Sequence, residues 1–106
     1  MLYMNGGKWE GNQIIQANWV SASHQSYINR NKPDQGYGYQ FWTWDDKVGP
    51  RAIHLVAAVG NGDQRIFFDH ANQLMVVTTA GNYNQWTIKN NTRALLMNFI
   101  YPAFLH

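Results

Sequence analysis

The chain contains no cysteine. That excludes disulfides, thiol nucleophiles and thiolate metal sites, and it leaves the redox compartment undetermined. Charge is also scarce. Asp, Glu, Lys and Arg make up 13% of the residues, against about 25% in an ordinary soluble domain. A surface with so few charges is expected to be covered, at least in part, by something else. The eight basic residues are Lys8, Arg30, Lys32, Lys47, Arg51, Arg65, Lys89 and Arg93. They are scattered and form no phosphate-binding stripe, so nucleic acid is not an expected partner. Long apolar runs are missing too. The opening MLYM is ended by Asn5-Gly6-Gly7-Lys8, too early for a signal-peptide core or a membrane span.

Apolar side chains are plentiful. Hydrophobic residues are 45% of the 106, and five Trp, six Tyr and five Phe are among them. Disordered chains are poor in aromatics, so a folded chain is expected. The length suits a single domain spanning residues 1 to 106, with a core that is attainable but not large.

Periodicity predicts an α+β fold. Residues 1 to 5 resemble the end of a helix, stopped by Gly6-Gly7. Trp9 is expected in a turn closed by Gly11-Asn12, and residues 17 to 23 (ANWVSAS) in a short helix with Trp19 and Val20 facing inward. Residues 24 to 36 are polar, carry Pro33-Asp34 and predict a loop. Strands are expected at 37–44 (YGYQFWTW), 52–59 (AIHLVAAV), 64–68 (QRIFF) and 74–79 (LMVVTT). Asp45 to Pro50 is expected as a turn. Asn61-Gly62 is a strong hairpin signal. After about Asn91 the period becomes helical: Leu95, Leu96, Phe99 and Ile100 share one face, and Pro102 should stop the helix. The expected architecture is an antiparallel sheet of about four strands with the C-terminal helix on one face.

The residues offer little complete chemistry. His24, His54, His70 and His106 stand far apart with no i, i+4 pairing, so no metal site is expected. His54 alternates with apolar neighbours and is expected in the core or a groove. Asp45-Asp46 is expected in a solvated turn. Ser21, Ser23 and Ser26 around His24 form the one local Ser/His grouping, expected to cap and solvate a helix end. Gly60-Asn61-Gly62-Asp63 lacks the Lys-Ser/Thr ending and following helix that a phosphate loop needs. No cofactor is expected. The aromatics Tyr37, Tyr39, Phe41, Trp42 and Trp44 are expected to divide between core and a covering partner.

Four stretches, in order, resemble the C-terminal segment of the serine β-lactamase and penicillin-binding-protein-like hydrolases, most closely the class C-like branch with its esterases and amide hydrolases. They are LYMNGGKWEGNQIIQANWVSAS (residues 2–23), GYGYQFWTWD (36–45), AAVGNGDQRIFF (57–68) and LMVVTTAGNYN (74–84) followed by IYPA (100–103). The resemblance implies a longer parent that hydrolyses esters or amides through a Ser acyl-enzyme. No Ser here has a Lys three residues on, and Tyr3-Met4-Asn5 and Tyr27-Ile28-Asn29 match the family's Tyr-x-Asn pattern in the wrong context. The family's Lys-Thr-Gly strand corresponds to Ala58-Val59-Gly60, without the Lys and Thr. Asp63 stands where relatives usually have Gly. By resemblance Ala58, Val59, Gly60, Asn61 and Gly62 would form one wall of an active site, with the Asn61 N–H as an oxyanion-hole donor. The catalytic set is incomplete in this chain, which is expected to need the missing N-terminal half or to self-associate. The alternative expectation is a stand-alone binding module that keeps the sheet without catalysis.

Overall fold

A computed structural model describes residues 1–29 and 35–105. The architecture is α+β, with antiparallel sheets and a C-terminal helix. A small hairpin comes first, β1 (Lys8–Trp9) and β2 (Asn12–Gln13). Its turn is Glu10-Gly11, both at positive φ (48° and 82°), the mirror-image geometry that suits twisted strands. Trp9 therefore lies in a strand rather than in the turn. Helix α1 covers Ala17–Ser23 as expected, with Val20 buried, but Trp19 is exposed. β3 (Ile28–Asn29) opens the main sheet inside the stretch expected as a loop. Pro33-Asp34 lie outside the described residues.

The main sheet has six strands rather than about four, in the order β3-β4-β5-β6-β7-β8. The expected strand 37–44 is two strands, β4 (Gln35–Gly38) and β5 (Phe41–Val48). They are joined by Tyr39-Gln40 at φ 45° and 71°. The expected turn at 45–50 is mostly strand. Asp45 pairs with His54 and Val48 with Arg51, which leaves a two-residue turn at Gly49-Pro50. Gly49 has φ 58° and proline fixes the next φ near −65°, a combination that closes a tight hairpin. β6 (Arg51–Gly60), β7 (Gln64–Asp69) and β8 (Leu74–Thr78) complete the meander.

Strand alternation assigns the two faces. Ile53, Leu55, Ala57 and Phe67 meet Leu96 and Tyr101 of the C-terminal helix in the core, flanked by Trp44, Val59 and Val76. Each large side chain buried there contributes about 1.5–3 kcal/mol. The opposite face carries Phe41, Thr43, Val56 and Phe68, and the N-terminal segment packs on it through Tyr3 and His24.

The C-terminal helix differs from a simple α-helix. α2 (Thr92–Leu95) passes into a π-helical turn at Leu96–Ile100 and then α3 (Tyr101–Phe104). Pro102 lies inside the helix and does not stop it. Proline has no N–H to donate and its ring crowds the carbonyl four residues back, and the wider π turn just before it accommodates both. Asn91 caps the start, its side chain accepting from the Ala94 N–H at 2.9 Å. Among the described residues no helix is long and apolar enough to cross a membrane.

Candidate functional site

The small-residue wall sits at the end of β6. Ala58, Val59 and Gly60 are its last residues, and Asn61 and Gly62 begin the loop to β7. Because Gly60 pairs with Gln64, the loop has three residues rather than two, with positive φ at Gly62 (101°) and Asp63 (72°). Val59 turns toward the helix-side core. Ala58 lies on the other face beside Ile66 and Val77, where an open depression of about 380 Å³ forms. Ile66 and Val77 are 37% and 59% exposed, so this face carries an uncovered apolar strip.

The loop is held firmly. The Asn61 amide donates to Asn84 Oδ1 at 3.1 Å, and its carbonyl oxygen accepts from the Asn84 N–H at 3.0 Å. The Gly62 carbonyl accepts from the Asn82 N–H at 3.0 Å. A side chain at Gly62 would meet the Tyr83 ring at 2.8 Å. Asp63 fixes the far end. Its buried carboxylate accepts from the Thr92 N–H at 2.7 Å, the Thr92 hydroxyl at 2.9 Å and Arg65 Nε at 2.8 Å. Burial pushes the Asp63 carboxyl up, but the Thr92 bonds and the Arg65 charge outweigh it and hold it below its ordinary value. The residue that departs from the hydrolase pattern is thus the one that anchors the C-terminal helix to the loop.

A second concavity, about 540 Å³, lies between the N-terminal segment and the sheet. His24 is its hub. The Tyr3 ring stacks on the imidazole at 5.2 Å, and the Phe41 and Phe68 rings approach to 4.5 and 4.9 Å. His24 Nδ1 and His70 Nε2 share a hydrogen bond at 2.8 Å, while His24 Nε2 is buried without a partner. Burial, then the neighbouring His70, pushes His24 down to about 4. His70 is also lowered, by burial and by His54, against the opposing pull of Asp69. His54 lines the same cavity, with Nδ1 2.6 Å from Asp45 Oδ1. It is exposed rather than a core residue, and Asp45 is its cross-strand partner rather than part of a turn.

The Ser/His grouping does not meet the wall. Ser21 and Ser26 line the histidine cavity, and Ser23 is buried, donating to the Val20 carbonyl at 3.0 Å. The histidine cavity and the wall depression share no lining residue. Of the two Tyr-x-Asn matches, Tyr3 packs on His24 and the Tyr27 hydroxyl donates to the Ala22 carbonyl at 2.8 Å. Among the described residues no three His, Asp or Glu side chains converge as a metal-binding group. The pairing of His24 with His70 was not evident from sequence spacing, since 46 residues separate them. The available signal was parity: His70 follows Phe68 by two, which places both on the face opposite Phe67. No protein-family model matches the chain, and no curated protein matches it significantly.

Proposed function

We propose that this chain is the C-terminal part of a β-lactamase-like serine hydrolase domain, which hydrolyses an ester or amide once its N-terminal half is in place. The observation that carries the reading is the coincidence of two features on one sheet face. The clamped loop at Gly60-Asn61-Gly62 lies beside an apolar strip of Ala58, Ile66 and Val77 that nothing covers. An oxyanion donor works through a backbone N–H fixed before the reaction begins. The Asn84 and Asn82 bonds and the Asp63 anchor supply that rigidity at Asn61. In this reading the missing half brings the nucleophilic Ser, the Lys three residues later and the Tyr motif. The Ser attacks the carbonyl carbon, and the Asn61 N–H donates to the oxygen that gains charge. The acyl-enzyme then passes to water.

The test has two arms. The reading frame upstream of Met1 should encode Ser-x-x-Lys, and the protein made from that longer frame should be labelled on serine by a fluorophosphonate probe. The 106-residue chain by itself should be neither labelled nor active. Saturable turnover of a nitrophenyl ester by the short chain, abolished by Asn61→Pro, would overturn the proposal. The second reading, a binding module without catalysis, is favoured by the histidine cavity, whose volume suits a small ligand. It predicts an upstream frame without the serine motif.

A further inference from the structure

The histidine cavity contains a pair of imidazole nitrogens arranged as two adjacent ligands of one ion. We propose that His24 Nδ1 and His70 Nε2 form a site for a tetragonal divalent ion of the copper(II) or nickel(II) class. Their separation, 2.8 Å, selects that class. Two imidazole nitrogens each about 2.0–2.1 Å from a metal stand about 2.9 Å apart at a right-angled N–metal–N, and about 3.3–3.4 Å apart at a tetrahedral one. The observed spacing needs almost no adjustment for a square-planar or octahedral ion, which prefers right angles. A tetrahedral zinc ion would force the rings apart, and His24 is wedged among Tyr3, Phe41 and Phe68.

The protons balance without loss. In the metal-free pair one N–H lies between the two rings. In the metal-bound form His24 carries its proton on Nε2 and His70 on Nδ1, so both nitrogens facing the ion present lone pairs. Binding requires only a tautomer shift on one ring. The Nε2 of His24 is already enclosed without a partner, so that side of the ring loses no hydrogen bond. His70 is exposed, and its Nδ1–H is free to meet solvent.

The remaining positions belong to water and to His54. The cavity, about 540 Å³, has room for several waters. His54 lines it and is close enough for its charge to act on His70. Asp45 holds His54 Nδ1, leaving Nε2 as the ligand atom, an orientation that metal-binding histidines commonly receive from a carboxylate. His54 is largely exposed and so turns without disturbing the core.

The experiment is a copper(II) titration of the full chain at neutral pH by calorimetry, with pulsed electron paramagnetic resonance on the same samples. The expected result is one ion per chain and remote-nitrogen signals from two imidazoles, with zinc binding more weakly than copper. His70→Ala should weaken copper by at least about tenfold and remove one imidazole signal. Because His70 is exposed, that variant should keep the wild-type circular dichroism, and it tests the site even if His24→Asn fails to fold. His54→Ala should leave the two-imidazole signal in place. Copper affinity unchanged in His70→Ala, a spectrum from the terminal amine and backbone amides alone, or no saturable binding would each overturn the proposal.

Discussion

Replacing Asp63 by Asn tests whether one carboxylate ties the loop of the candidate wall to the C-terminal helix. The change preserves shape and removes charge. Asp63 is 7% exposed, and both oxygens are engaged by donors: the Thr92 N–H and hydroxyl, Arg65 Nε, and Asn82 Nδ2 at 3.4 Å. An Asn side chain keeps one acceptor and turns an NH₂ toward those donors. Arg65, its side chain only 14% exposed, would lose its ion-pair partner. Removing one member of a buried charged pair costs about 3–5 kcal/mol. Such a cost is a large share of the roughly 5–15 kcal/mol that holds a small domain folded. Urea unfolding followed by tryptophan fluorescence should show the midpoint falling by about 1–3 M. Thr92→Val, which keeps the N–H and loses the hydroxyl, should cost less, about 1 kcal/mol.

The pH dependence gives an independent check. Since the folded carboxyl lies below its ordinary value, its contribution is fully present above about pH 3.9 and is lost as pH falls through the folded value. Wild type should lose stability in that acid range, and Asp63→Asn should lose less. A midpoint shift within about 0.5 kcal/mol of wild type, the range of an ordinary surface substitution, would refute the anchoring role.

The histidine pair should make stability fall at mildly acidic pH, measured with a chelator present to keep metal out. His24 drops from 6.5 unfolded to about 4 folded, so the unfolded chain binds more protons in that window, and about 3 kcal/mol should be lost between those values; a flat profile from pH 7 to 4.5 would refute it. Tyr101→Phe should cost about 1.5–3 kcal/mol in urea unfolding, because the fully buried hydroxyl donates to Asp69 Oδ2 at 2.6 Å. Val77→Lys should change stability by less than about 0.5 kcal/mol, since Val77 is 59% exposed. The same change should convert a self-associating short chain into a monomer by light scattering; a wild-type chain monomeric at high concentration would sink that expectation.

How much of this was legible depends on where the physics was local. AIHLVAAV, QRIFF and LMVVTT read as strands because apolar and β-branched residues run at strand length between Gly- and Asn-containing turns. ANWVSAS read correctly as a helix, bounds included. The hairpin at Tyr39-Gln40 was hidden because both residues adopt positive φ without glycine or asparagine. What holds them is tertiary: the Tyr39 ring lies 5.1 Å from both Trp19 and Tyr27. Asp45-Asp46 looked like a turn by composition. Register overrode that, placing Asp45 against His54 and letting Asp46 reach Arg93 across the chain. The wall at 58–62 was located by resemblance, whereas the Asp63 anchor and the His24–His70 pair depend on partners 29 and 46 residues away.

These long-range partners divide the work between the two sheet faces. On the helix face, Tyr101 and Asp69 are completely buried and hydrogen-bonded to each other, and Asp63 locks the helix start. Polar groups so enclosed are costly to break, so this face serves stability. The opposite face is covered over Phe41, Val56 and Phe68 by the N-terminal segment, which leaves the histidine cavity beneath it. Toward the end of β6 the cover stops, and Ala58, Ile66 and Val77 stand open beside the clamped loop. A sheet that invests in rigid backbone at one corner, and leaves that corner's apolar strip uncovered, is built to receive another surface there. The low charge of the chain fits the same conclusion, because a surface meant to be covered has little use for solvating side chains.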